Sequence, residues 1–176
     1  IFDGYLKHFC NVSIDNDIPA MLSFFFVQGQ VAVPWVRIAW NESHLDPRVH
    51  AFWIQSSRTG KSIAWEFIGE VLDDSNVPWY TSGTDAGLLG SFHIEKDDNG
   101  EETYIHKEGL LSGRKALNFD EGSIILNPNS HSQQTVLFLQ SACNPVGSNN
   151  NKLVLQQRGG RAEIESLVSL WITTYP

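Results

Sequence analysis

Apolar and aromatic residues gather along the chain in short runs separated by turn formers: MLSFFFV (21–27), VPWVRIAW (33–40), VHAFWIQ (49–55), SIAWEFIGEVL (62–72) and GSFHIEKDDNGEETYIHKEG (90–109). Each is rich in β-branched or aromatic residues, as strands on a half-buried pleated surface are. Turn signals fall at Gln28-Gly29-Gln30, Asn41 to Pro47, Arg58-Thr59-Gly60, Asp73 to Pro78, Thr81 to Gly87, Asn99-Gly100, Asn127-Pro128-Asn129 and Gly147 to Asn151. The pattern predicts about ten short strands between Met21 and Leu155, with no helix-period stretch long enough for a βαβ unit. The expected fold is mainly β, an antiparallel sandwich forming a single domain over residues 1–176.

Two local units stand out. Asn99-Gly100 supplies the positive φ angles of a two-residue type I′ turn, which would set Glu95 against Tyr104 and His93 against His106. After Gly159-Gly160, Ile164, Leu167, Val168 and Trp171 fall at i, i+3, i+4 and i+7, one face of a short C-terminal helix. A final strand through Leu170 and Ile172 is the alternative.

Composition narrows the partners. Twelve basic against 20 acidic side chains give a net charge of −8 with no basic block, so nucleic acid and anionic membranes are unfavoured partners. No apolar run reaches the length of a membrane span, and MLSFFFV reads as a buried strand. A chain starting at Ile1 is expected to be a fragment or a processed product. Cys10 and Cys143 are open to both a disulfide and two free thiols.

Candidate chemistry is sparse. His93 and His106, with Glu95 and Tyr104 beside them, are the best metal or acid–base candidates, and a small metal-dependent hydrolase using His93, His106 and Glu95 is one alternative function. A zinc site needs a third protein ligand, and a register shifted by one residue would put Ile105 opposite His93. Glu95, Asp97, Asn99 and Gly100 start like a calcium loop, but the twelfth position is His106 rather than a bidentate Glu. His44, Asp46 and His50 sit in a turn broken by Pro47 and read as solvated loop residues. No Gly-x-Ser-x-Gly elbow, phosphate loop or Cys-x-x-Cys motif is recognised, so no catalytic residue, metal or cofactor is expected. Five of the six tryptophans lie between Trp35 and Trp79. Trp35, Trp53 and Trp65 read as core. Trp79 and Tyr80, in a turn-rich segment, offer faces on which sugar rings stack.

Read end to end, these segments resemble the spike-head domain of the rotavirus outer capsid, the glycan-binding fragment that trypsin releases from the spike. Phe2-Asp3-Gly4-Tyr5 is similar to that head's opening Leu-Asp-Gly-Pro-Tyr, Val27-Gln28-Gly29 with the loop to Trp35 follows its order, and Trp65-Glu66-Phe67-Ile68 resembles its Trp-Lys-Phe-Ile strand. Leu89-Gly90 through Asn99-Gly100 to Tyr104 resembles its hairpin, and Asn118-Phe119-Asp120 its Asn-Tyr-Asp. The resemblance covers roughly residues 1–120 and implies a galectin-like antiparallel β-sandwich with a short C-terminal helix, displayed on the virion surface. Its partners would be host cell-surface glycans and the remainder of the spike, without membrane insertion.

It also implies that the loops of Trp79, Tyr80 and Ser82 and of Arg114 and Lys115 share one edge of the sandwich, with Asp73 nearby, as a glycan site. Pro34 stands where sialic-acid binders carry an arginine, and Ser112-Gly113-Arg114-Lys115 replaces a Lys-Tyr-Tyr-Ser stretch, so a glycan other than terminal sialic acid is expected. A cellular or microbial lectin or adhesin of separate origin is the other binding alternative.

Overall fold

Ala51 to Ile54 is apolar at every residue, and so is Leu170 to Ile172. Strands of that composition suit a parallel sheet covered on both faces. A computed structural model describes residues 1–12, 16–41, 43–56, 58–81, 85–96, 99–120, 122–126 and 133–176, and a parallel sheet is its centre, buried throughout at Leu170 to Ile172 while Phe52 and Ile54 stay exposed on its edge.

In chain order the elements are α1 (Phe2–Val12), α2 (Asp17–Ala32), the hairpin β1 (Ile38–Trp40) and β2 (Ser43–Leu45), β3 (Ala51–Ile54), α3 (Lys61–Asp74), β4 (Trp79–Thr81) and α4 (Asp85–Leu89). There follow the hairpin β5 (Gly90–Lys96) and β6 (Glu102–Glu108), β7 (Ala116–Phe119), α5 (Ser123–Leu126), α6 (Gln133–Cys143), the hairpin β8 (Lys152–Gln157) and β9 (Gly160–Glu165), and β10 (Ser169–Thr174). The central sheet has the order β3-β10-β7-β4, and every neighbouring pair is parallel. The strands therefore all end on the same edge of the sheet.

Successive residues of a strand point to opposite faces, so the sheet feeds two cores. On one face Ala51, Ala116 and Trp171 meet Phe26 and Val27 of α2 and Trp65, Ile68 and Leu72 of α3. On the other, Leu117, Leu170 and Ile172 meet Leu88 and Leu89 of α4, Leu139 of α6 and the inner residues of the β8–β9 hairpin. Phe9 of α1 closes a third cluster against Ala20, Ala64 and Phe67. Among the described residues no helix is long and apolar enough to cross a membrane.

The galectin-like antiparallel sandwich is thus replaced by a mixed α/β fold. MLSFFFV lies in α2, where the Asn16 side chain caps the helix by accepting from the Ile18 amide at 3.0 Å and Pro19 sits in the first turn. A short apolar run fits a buried helix as well as a strand, and here the cap decides. SIAWEFIGEVL lies in α3, where Ala64, Ile68 and Leu72 at i, i+4 and i+8 form one buried face. Gly29 is not a turn residue. It lies within α2, and a Cβ there would run into the carbonyl of Pro47, so its bare backbone allows close approach.

The C-terminal helix is absent as well: Ile164 lies on β9, Trp171 on β10, and the strand through Leu170 and Ile172 forms instead. All six residues of β10 are buried, as an inner strand requires, and the helical spacing spans the end of β9, the connection through Leu167 and Val168, and the start of β10, so it marks no single element. Trp65 is core, whereas Trp35 is 74 % exposed rather than buried. Cys10 and Cys143 are free thiols.

Candidate functional site

Loops leaving β3, β7 and β10 converge at the carboxyl edge of the sheet, where ligands of open α/β folds bind. The β3 loop is tied there from the start, because the Gln55 amide donates to the Thr174 carbonyl at 3.2 Å. Further on, Thr59 Oγ1 donates to the Ser56 carbonyl at 2.9 Å, and both Arg58 (φ 60°) and Gly60 (φ 81°) adopt left-handed conformations that fold the chain back before α3 begins. Among the described residues no side chain caps the start of α3. The first-turn amides of a helix lack intrahelical acceptors and carry the positive end of its dipole, so this terminus is suited to an anion.

Lys61 opens α3 and is 93 % buried, at 7 % exposure. Its Nζ donates to the carbonyls of Gln55 at 2.6 Å and Ser56 at 2.9 Å and lies 4.5 Å from the centre of the Tyr175 ring. Burial holds the ammonium below its ordinary pKa, while the carboxylate of Asp120 acts in the opposite sense. Asp120 follows the last residue of β7, and Thr173 Oγ1 on the adjoining strand donates to its Oδ1 at 3.0 Å. A cleft of about 300 Å³ lies among these groups, lined by the loop and first turn from Arg58 to Ile63 with Asp120 and Tyr175. Ser62 adds a hydroxyl in the first turn of α3. The set combines helix amides, a buried cation and hard oxygen donors.

A larger groove of about 470 Å³ runs along the outer edge of β3, between Ile18 and Leu22 of α2 and the strand residues 51–55. Among the described residues no charged side chain lines it, and its side-chain amides are those of Asn16 and Gln55.

The expected glycan residues are distributed differently. Trp79 lies half-buried on β4 and packs edge-on against Trp65, with ring centroids 5.8 Å apart, and its ring covers Gly69. The next residue, Tyr80, points to the other face and is 42 % exposed, so the two aromatics do not form one platform. Ser82 lies outside the described residues. Asp73 is exposed in the last turn of α3. Arg114 joins this neighbourhood by donating to the Asn76 carbonyl at 2.9 Å, and its guanidinium stands 5.7 Å from the Trp35 ring centre. Lys115 spends its ammonium on the carbonyls of Gly109 and Ser112, and burial lowers its pKa against the pull of Glu108. Arg114 and Lys115 precede β7, whereas Asp120 follows it, so they occupy the edge opposite the Lys61 cleft.

The expected histidine pair is not assembled. Phe92 pairs with His106 and His93 with Ile105, one residue away from the expected register. Pairing Lys96 with Glu102 leaves residues 97–101 as the connection, and an odd-numbered loop is incompatible with a two-residue turn at Asn99-Gly100. The slip puts the two imidazoles on opposite faces of the hairpin: His93 Nε2 contacts Ser91 Oγ at 2.8 Å, and His106 Nε2 contacts the Leu89 carbonyl at 3.2 Å. Asp97 lies outside the described residues. No group of three or more metal-ligating side chains occurs among the described residues.

Asp46 and His50 are not solvated loop residues. Asp46 and Arg48 form a buried ion pair at 2.7 Å, and Arg48 also donates to the carbonyls of Ala142, Asn144, Ser166 and Val168. Burial would raise the Asp46 pKa, but its bonds to Arg48 and to the Val146 amide together hold it below its ordinary value. His50 Nδ1 accepts from the Leu170 amide at 3.2 Å. Desolvation, then the nearby Arg48 charge, push its pKa down to about 4, against Asp46. His44 stays exposed.

The Lys61 cleft had a signature in the sequence. Gly60-Lys61-Ser62 follows an apolar strand and opens a helix, which is the strand–loop–helix context of a phosphate loop. The strict pattern begins with glycine five residues before the second glycine, and here that place holds Gln55. The partner signal is Ala116 to Phe119 followed by Asp120 and Glu121. Glu121 lies outside the described residues. Comparison with protein-family models finds none that matches the chain, and comparison with the curated proteins finds no match.

Proposed function

We propose that the cleft at Lys61 binds the phosphates of a nucleoside triphosphate and supports transfer of the terminal phosphoryl group to water. The observation that carries this reading is the pairing across one cleft of Lys61, on the first residue of a helix after a looped strand end, with Asp120 at the end of β7. The net charge of −8 opposes a long polyanion, but a triphosphate experiences the local field of Lys61, Arg58 and the α3 amides.

The chain's residues divide the work by chemistry. Lys61 exchanges its two loop carbonyls for phosphate oxygens, and the loop and first-turn amides donate to the others. Thr173 fixes the orientation of the Asp120 carboxylate by donating to Oδ1. Ser62 and Asp120 supply the hard oxygen donors that suit a magnesium ion accompanying the nucleotide, whose contribution is to neutralise phosphate charge. Calorimetric titration with magnesium adenosine and guanosine triphosphates, with phosphate release measured in parallel, tests the reading. Wild type binds in the micromolar range, and Lys61→Ala weakens binding at least about tenfold through loss of a charge-assisted contact. A wild-type protein that binds neither nucleotide at millimolar concentration ends the proposal.

A second reading keeps a glycan surface, supported by the exposed indoles of Trp35 and Trp40 (74 % and 61 %) and by Arg114 beside Trp35. The spike-head resemblance implied a sandwich that the chain does not form, so this reading stands on the aromatics alone. Titration with neutral oligosaccharides followed by NMR supports it if Trp35 and Arg114 signals move, and ends it if they stay fixed at millimolar sugar.

A further inference from the structure

Arg58 occupies the middle of the β3–α3 loop with φ 60°, a left-handed conformation that costs a residue with a side chain more than it costs glycine. Several other arginines are committed. Arg37, Arg48 and Arg114 donate to backbone carbonyls, and Arg161 pairs with Glu163. Arg58 lines the Lys61 cleft, yet among the described residues it makes neither a hydrogen bond nor an ion pair, not even with Asp120 across the cleft. Arg158 is likewise uncommitted, but it sits in the exposed turn between β8 and β9. A cation that is strained in its backbone, held at the mouth of an anion-suited cleft and without an acceptor among the described residues has its donors available for a ligand.

We propose that Arg58 is a second phosphate-binding cation, which grips the terminal phosphate and makes the site selective for nucleoside triphosphates over di- and monophosphates. This rests on the nucleotide reading of the cleft. Lys61 is anchored at the base of the cleft, where its stem is buried and its ammonium lies against the loop carbonyls. Arg58 lies three residues earlier, on the exposed part of the loop. Its planar fork matches two oxygens of one phosphate group, and the terminal group of a triphosphate presents the extra charge that such a fork rewards. Glycine in its place would relax the backbone while removing the fork, so the two roles separate in one variant.

The test is titration of wild type, Arg58→Gly, Arg58→Lys and Lys61→Ala with magnesium ATP, ADP and AMP at one ionic strength, alongside melting temperatures. Arg58→Gly should melt no lower than wild type and should lose about tenfold or more in affinity for ATP, while its affinity for AMP stays within about threefold. Arg58→Lys should fall between, since it keeps the charge without the fork. Equal losses for all three nucleotides, or ATP affinity unchanged in Arg58→Gly, would overturn the assignment while Lys61→Ala still reports on the cleft. If wild type binds no nucleotide, both this inference and the nucleotide reading fall together.

Discussion

The two edges of the central sheet treat buried charge in opposite ways. Where β3 and β10 begin, the Arg48 guanidinium is sealed among Asp46 and the carbonyls of Ala142, Asn144, Ser166 and Val168, so that its donors are spent on the protein. Where the same strands end, Lys61 is also buried but, among the described residues, donates to two loop carbonyls beside an aromatic ring, faces a cleft, and neighbours an Arg58 with no partner among those residues. A charge whose partners are all internal staples the fold. A charge with replaceable partners is available to a ligand, and that difference separates structure from function here more surely than burial does.

The largest effect should come from breaking the closed edge. Arg48→Met removes the cation while leaving Asp46 buried, along with carbonyls that have lost their donor, and should cost about 3–5 kcal/mol in a denaturant titration. Replacing both partners, as Asp46→Leu with Arg48→Met, should recover part of that loss, because no uncompensated charge remains. A single variant as stable as wild type would mean that the network adds nothing, and the contrast between the edges would dissolve.

How much of this was legible in sequence depends on what each pattern measures. The β5–β6 hairpin and the β3 strand were readable because alternation and continuous apolar composition act locally. The helices are hard to read although Ala64, Ile68 and Leu72 of α3 fall at helical spacing, because their aromatic and β-branched content carries strand propensity and tertiary burial outweighs propensity. Conversely, the helical spacing from Ile164 to Trp171 spans two strands, because Ile164 on β9, Leu167 and Val168 in the connection and Trp171 on β10 are each buried or half-buried for reasons of their own element. Strand order was not readable at all: the crossover that places β10 between β3 and β7 is what brings Thr173 to Asp120, and no local pattern encodes it. Lys61 itself was within reach, hidden by Gln55 at the position where the motif expects glycine.

A pH titration sharpens the comparison next. His50 belongs to the closed edge and is held neutral, its pKa down at about 4 against 6.5 for the free side chain. Between those values the unfolded chain takes up a proton that the folded one refuses. Stability is therefore complete above about pH 6.5 and declines as pH falls toward 4, by about 2–3 kcal/mol for a shift of this size. His50→Asn retains an acceptor for the Leu170 amide without titrating, and should flatten the profile across that window. A slope unchanged in the variant would assign the loss to other groups.

The smallest effect is expected at the open edge, and its smallness is the point. Lys61→Ala removes an ammonium whose burial is itself unfavourable, as the direction of its pKa shift indicates, and the space it vacates opens onto the cleft that Lys61 lines, so water should reach the carbonyls of Gln55 and Ser56 that it leaves. The lost hydrogen bonds and the relieved desolvation nearly offset each other, so the change in unfolding free energy should stay within about 1 kcal/mol. Alanine also has the higher helix propensity at the start of α3, which helps slightly. Nucleotide titration on the same sample should meanwhile show the full loss of affinity. A destabilisation approaching that of Arg48→Met would make Lys61 a staple like its counterpart at the other end of the strands. The cleft would then be a consequence of loop packing rather than a site kept open for phosphate.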